Sequence, residues 1–168
     1  MKLSVIDADK IEDFVPLIAK YANTQNKINT ADFFSNHPFH LKIEAFSRNI
    51  WAPALEGKPN QTLWFYERAR GQYANKMTHL SQAAKKKFSN IHPRNQMITK
   101  TDIAKFWLSF DQAPYEVSLG AQKAFSGTPK YEGFVGRIQE MWNKNQNQFT
   151  AMWFKKLISM AIHFRDVD

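Results

Sequence analysis

Residues 62–73, TLWFYERARGQY, bring together the side chains of this sequence best suited to handling a polyanion. Read as a strand, with side chains alternating between faces, the segment puts Trp64, Tyr66, Arg68 and Arg70 on one side. Leu63, Phe65, Glu67 and Ala69 then take the other. Rings interleaved with guanidinium groups suit stacking on bases and bidentate pairing with phosphates. The same spacing fits a second arrangement, in which Trp64 and Tyr66 are core aromatics and the arginines pair with Glu67 or an acid elsewhere. A denser cationic run follows at Lys85, Lys86 and Lys87, flanked by Lys76 and Arg94. Successive helical residues point about 100° apart, so three adjacent lysines spread positive potential around a helix end rather than along one face. Such a field attracts phosphates without reading sequence. A solvated run near a helix C-terminus, where cations are favourable anyway, is the competing reading.

Charge distribution sharpens the point. The chain has 168 residues and a formal net charge of +8. Residues 1–60 are balanced, with seven basic and seven acidic side chains, and residues 106–168 carry seven and six. Residues 61–105 hold nine basic and two acidic side chains, so nearly all the excess falls in one quarter of the sequence. A concentrated basic segment is the electrostatic footprint of a nucleic-acid partner.

Other chemistries find little support. Cysteine is absent, which excludes disulfides, thiol catalysis and Cys-ligated metals. His37 and His40 stand three apart, but no carboxylate follows at a ligand spacing and HExxH is missing. His163 lies within an apolar stripe and reads as a core or interface residue. Neither phosphate-loop pattern occurs, and there is no GxSxG. Asp7, Asp9 and Lys10 sit where a nuclease cluster could begin, yet no second strand supplies an acid-x-Lys pair; helix capping accounts for Asp7, Asp9 and Asp102. No catalytic residue, metal or cofactor is expected.

The elements that must position these residues follow from periodicity. A strand at 2–6 leads into a helix carrying Ile11, Phe14, Val15, Ile18 and Ala22 at helical spacing. Residues 23–36 form a polar loop, anchored by Phe33 and Phe34. Pro38 suits a first helical position, Phe39, Ile43, Phe46 and Ile50 make one stripe, and Pro53 ends it. A β-like run covers 62–70. A helix is expected from Met77 to about Phe88, a linker at 90–95 and a short strand at Met97 and Ile98. Thr99-x-x-Asp102 fits a capping box ahead of Ile103, Phe106, Trp107 and Phe110. Helices at 115–125, 131–143 and 147–164 complete the chain. The expected fold is α+β, mainly α: several packed helices with a small sheet formed by the N-terminal strand and the 62–70 region. One domain over 1–168 is expected, with a sub-boundary offered near 90–96. No apolar run approaches the ~18 residues of a membrane span, and residues 1–9 lack a signal-peptide pattern. A cytoplasmic location without membrane contact is therefore expected.

Four stretches, ANTQNKINTADFFSNHPFH (22–40), LWFYERARGQY (63–73), ITKTDIAKFW (98–107) and VSLGAQKAF (117–125), occur in an order that resembles the AIPR family of abortive-infection phage-resistance proteins. The resemblance runs from about residue 3 to residue 165. It implies a bacterial defence protein acting against phage through altruistic cell death or growth arrest. Family members are typically several times longer, and this chain is similar to an internal or C-terminal part of them. The resemblance brings no catalytic residues. By position it carries over the motif itself, Asn23, Gln25 and Asn26, then Tyr66, Glu67, Arg68, Arg70, Gly71 and Gln72, with no assigned role.

The leading expectation is a module of a longer defence protein that binds DNA or RNA without chemistry of its own. Trp64, Tyr66, Arg68 and Arg70 would make the contacts, and Lys85, Lys86 and Lys87 would supply general attraction. Two alternatives stand beside it. One is part of a nuclease or nucleotide-processing enzyme completed by another domain, with Glu67, Arg68 and Arg70 as candidates. The other is a dimerisation or protein-interaction module built on the aromatic-rich helices and the final apolar face.

Overall fold

The computed structural model describes residues 34–54, 56–57 and 59–167. The expected N-terminal strand and first helix, and with them Asn23, Gln25 and Asn26, lie outside the described residues.

Helices form where local signals are strongest. Pro38, which needs no N–H partner in a first turn, opens α1 (Pro38–Asn49), and His37 Nδ1 accepts the Phe39 N–H at 3.2 Å. The expected stripe holds, with Phe39 and Ile43 buried and Phe46 and Ile50 packed on the same core. The capping box also forms. Thr99 Oγ1 accepts the Asp102 N–H at 3.2 Å, and the Asp102 carboxylate accepts the Thr99 N–H at 3.0 Å.

The strands depart from the sequence reading. β1 (Trp51–Ala52) pairs antiparallel with β2 (Thr62–Leu63), and β3 (Phe65–Glu67) pairs parallel with β4 (Met97–Thr99). The single run expected over 62–70 is thus two short strands in different sheets. Every residue from 62 to 67 is buried, so no open face alternates with a covered one. Strands covered on both sides read this way.

Between β3 and β4 run α2 (Gln72–Thr78) and α3 (Gln82–Ile91), where one helix was expected over 77–88. Ser81 makes the break, its Oγ accepting the Ala84 N–H at 3.3 Å. A 3-10 turn at Arg94–Gln96 then delivers β4, which falls on the expected Met97 and Ile98. No residue of α3 is buried, and it is held mainly by Phe88, whose ring lies 5.2 Å from Tyr73 and 5.9 Å from Phe65.

The remaining helices build the core. The helix expected at 115–125 divides at Gly120 into α5 (Pro114–Ser118) and α6 (Ala121–Ser126). α7 (Gly133–Asn145) and α8 (Ala151–Val167) follow. α4 (Lys100–Phe110) lies among α5, α6, α7 and α8, burying Ile103, Ala104, Phe106 and Leu108. Phe39 joins α1 to this group, its ring 5.1 Å from Phe149 and 5.4 Å from Trp153. The apolar face of α8 finds its partner within the chain, burying Phe154, Leu157 and Ala161. His163 is exposed, 5.7 Å from the Phe110 ring. The architecture is α+β and mainly α. Among the described residues no helix is long and apolar enough to cross a membrane.

Candidate nucleic-acid interface

The run from Phe65 to Tyr73 is a strand that stops and turns into a helix, and its glutamate and glutamine are spent on that turn. Gly71 takes a left-handed conformation, φ 81°, which only glycine adopts without penalty. The Glu67 carboxylate accepts the N–H groups of Gly71 at 2.9 Å and Tyr73 at 3.0 Å, satisfying free donors at the start of α2. Gln72 Oε1 accepts the N–H groups of Arg68 at 2.9 Å and Ala69 at 3.0 Å, and its amide nitrogen donates to Glu44 at 2.8 Å. The Tyr73 hydroxyl donates to the His92 carbonyl at 2.7 Å.

Arg68 belongs to the same scaffold. Its Nε donates to Glu44 at 2.9 Å, and one terminal nitrogen donates to the Ser35 carbonyl at 3.0 Å and Asn36 Oδ1 at 2.8 Å. Glu44 also receives Arg48, whose guanidinium lies 3.6 Å over the Phe65 ring. Burial pushes the Arg48 guanidinium down, with Glu44 opposing it.

Trp64 and Tyr66 are core side chains, 6% and 0% exposed, and cannot offer a ring to a base. Tyr66 shares a hydrogen bond with His40 Nδ1 deep in the core. Burial raises the phenol well above its ordinary value and lowers the His40 imidazole to about 3. Both groups are neutral at physiological pH, and solvent reaches neither ring. The expected face of Trp64, Tyr66, Arg68 and Arg70 is therefore corrected: the chain ends its strand at Glu67, and the four side chains diverge. Glu67 has both oxygens occupied by backbone donors, so it is not a free carboxylate for phosphoryl chemistry.

Arg70 is the exception within the motif. It is exposed, and no hydrogen bond or ion pair among the described residues holds it. Lys76 on α2, Lys86 and Lys87 on α3, and Arg94 beyond it are likewise exposed, while Lys85 is half-buried. No acidic residue occurs anywhere from 68 to 101, so these cations have no carboxylate neighbour in sequence. Lys100 is buried at the start of α4 and stands apart from this set. Of the residues the sequence singles out, Arg70, Lys86 and Lys87 lie in solvent and Lys85 is half-buried, whereas Trp64 and Tyr66 lie in the core and Arg68 is bonded to Glu44. Trp51, which the sequence reading did not single out, is 51% exposed just past the end of α1. Its signal was a tryptophan just past the end of an apolar stripe and just before Pro53.

Elsewhere the charged clusters are structural. Glu116, buried against the start of α7, accepts the Gly133 N–H at 3.0 Å and pairs with Arg137, which also donates to Asp111 at 2.7 Å. Among the described residues no group of three or more His, Asp or Glu could hold a metal ion.

Comparison with known proteins agrees with the motif. The family model described as AIPR protein matches residues 1–168, and the chain belongs to the AIPR family. That membership points to a role in abortive-infection phage resistance. No curated protein and no solved structure matches the chain.

Proposed function

We propose that this AIPR family member serves phage defence as a non-catalytic nucleic-acid-binding module. Its contacts come from Arg70, Lys76, Lys85, Lys86, Lys87 and Arg94. One observation carries the reading: in a motif whose other polar side chains are bonded within the protein, Arg70 is left in solvent beside an acid-free, cation-rich pair of helices. A stable fold does not require so many like charges on one segment, and they raise local potential toward phosphate. Arg68 acts as a positioning residue, tying the turn to Glu44.

Binding of labelled DNA and RNA across a salt series tests this. With about five phosphates neutralised, affinity should fall roughly 10²–10³-fold between about 50 and 200 mM salt. Arg70→Ala combined with Lys86→Ala should lower the salt slope by about 2 while leaving stability within about 0.5 kcal/mol. Arg68→Ala should instead lower stability, by about 1–3 kcal/mol, because it leaves Glu44 short of a partner. Absence of binding to any DNA or RNA at low salt overturns the proposal.

A further inference from the structure

We infer that the cleft beside Trp51 is a stacking site for an unpaired base, which makes the ligand single-stranded DNA or RNA rather than duplex. The inference rests on the nucleic-acid reading above and names the element that reading lacks. With Trp64 and Tyr66 in the core, the basic helices need another ring if bases are to be engaged.

Trp51 supplies it. Its side chain is half in solvent and lines two adjoining depressions. One, of about 450 Å³, has an apolar floor that includes Trp64, Phe154 and Ile158. The other, of about 400 Å³, is lined by Trp51, Pro59, Asn60, Gln61, Asn90 and Ile91. This second cleft combines an indole with three carboxamides and no carboxylate. Each carboxamide offers both donors and an acceptor, which is what the edge of a base presents in return. An indole face accepts any base, because every base has a π-face.

Position relative to the cations makes the argument specific. Asn90 and Ile91 close α3, the helix that carries Lys86 and Lys87. Those lysines precede Asn90 by four and three residues, the separations that place helical side chains next to one another. Both are exposed. A strand whose phosphates run along α3 therefore passes the mouth of the cleft with a base free to turn in. Bases in a duplex are already stacked and paired, so only an unpaired one can enter.

The test compares labelled oligo-dT, oligo-rU and a duplex of equal length on the full chain at about 50 mM salt. Single strands should bind more tightly than duplex. Trp51→Ala should weaken single-strand binding about fivefold or more without changing the salt slope, because the indole carries no charge. Trp51→Phe should recover a large part of that loss, which separates the missing ring from a damaged fold. A preference for dT or rU identifies which strand is read. Wild-type binding that favours duplex, or survives Trp51→Ala within about twofold, overturns the stacking site and leaves the polyanion reading standing. Equal weakness of both Trp51 variants, each with wild-type melting behaviour, also overturns it. A wild-type chain that binds none of the three probes overturns both readings.

Discussion

Acidification from pH 7.5 to 5.0 should cost this fold about 2 kcal/mol through one imidazole, that of His40. The ring is fully buried, 4.9 Å from Phe39, 5.4 Å from Phe34 and 5.9 Å from Phe125. Its Nδ1 shares a hydrogen bond with the Tyr66 hydroxyl, while its Nε2 has no partner among the described residues. Burial lowers its pKa from 6.5 to about 3, and the positive charges of His37, Lys100 and Arg68 act in the same direction. In the unfolded chain the ring takes a proton as pH falls through 6.5, whereas in the fold it stays neutral until pH nears 3. Stability from this group is therefore complete above pH 6.5 and is lost progressively as pH falls toward 3. Each unit is worth about 1.4 kcal/mol, so at pH 5.0 the loss is about 2 kcal/mol. Burial also lowers His37 and His92, which add to the same trend, so the informative quantity is a difference between proteins. Urea unfolding of the wild type and of His40→Gln at both pH values isolates it, and glutamine keeps a polar group facing Tyr66. The variant should lose about 2 kcal/mol less than the wild type over that interval. Equal losses in the two proteins would refute the reasoning. So would a His40 resonance that titrates near pH 6 in the folded chain.

Two further outcomes test the scaffold. Glu67→Gln should destabilise by about 2–3 kcal/mol in urea, because one carboxylate oxygen bonded to the Gly71 or Tyr73 N–H becomes an NH₂ facing a donor; an unchanged midpoint would show that the turn does not depend on this cap. Gly133→Ala should lower the melting temperature by an amount equivalent to about 2 kcal/mol or more. Its φ is 71°, and a Cβ there runs into the backbone of Gly127. Gly136→Ala is the control. It lies within α7 with no positive φ, and a Cβ there meets the side chain of Glu132, which must turn aside to make room, so it should change stability less than Gly133→Ala.

The helices that could be read from the sequence were those whose signals are local. Pro38 and the Phe39–Ile43 spacing announce α1, and Thr99 with Asp102 announces α4, because each of these groups acts within a few residues of itself. The break at residues 79–81 escaped because Met77, Leu80, Ala84 and Phe88 also fit an unbroken stripe, although Ser81 was present to cap a second helix. At 62–67 the period failed for a different reason. A short strand with cover on both faces has no polar side to reveal its register, so a two-residue pairing with β1 and a parallel pairing with β4 look alike in sequence.

Arg68 and Arg70 show where such reading stops. They are chemically identical and two residues apart, which on a continuing strand means the same face and the same role. The outcome depends on Glu44, 24 residues earlier on α1, and on where the strand ends. Glu67 closes β3, Gly71 reverses the backbone, and the turn between them sends Arg68 back to Glu44 and Arg70 out to solvent. The motif is thus two devices in one run of residues. Its glutamate, glutamine, glycine and first arginine fix a turn, and that turn presents the second arginine beside α2 and α3. On this account an Arg68 variant and an Arg70 variant fail differently, one in folding and one in salt-dependent binding, and that contrast separates a structural motif from the contact it displays.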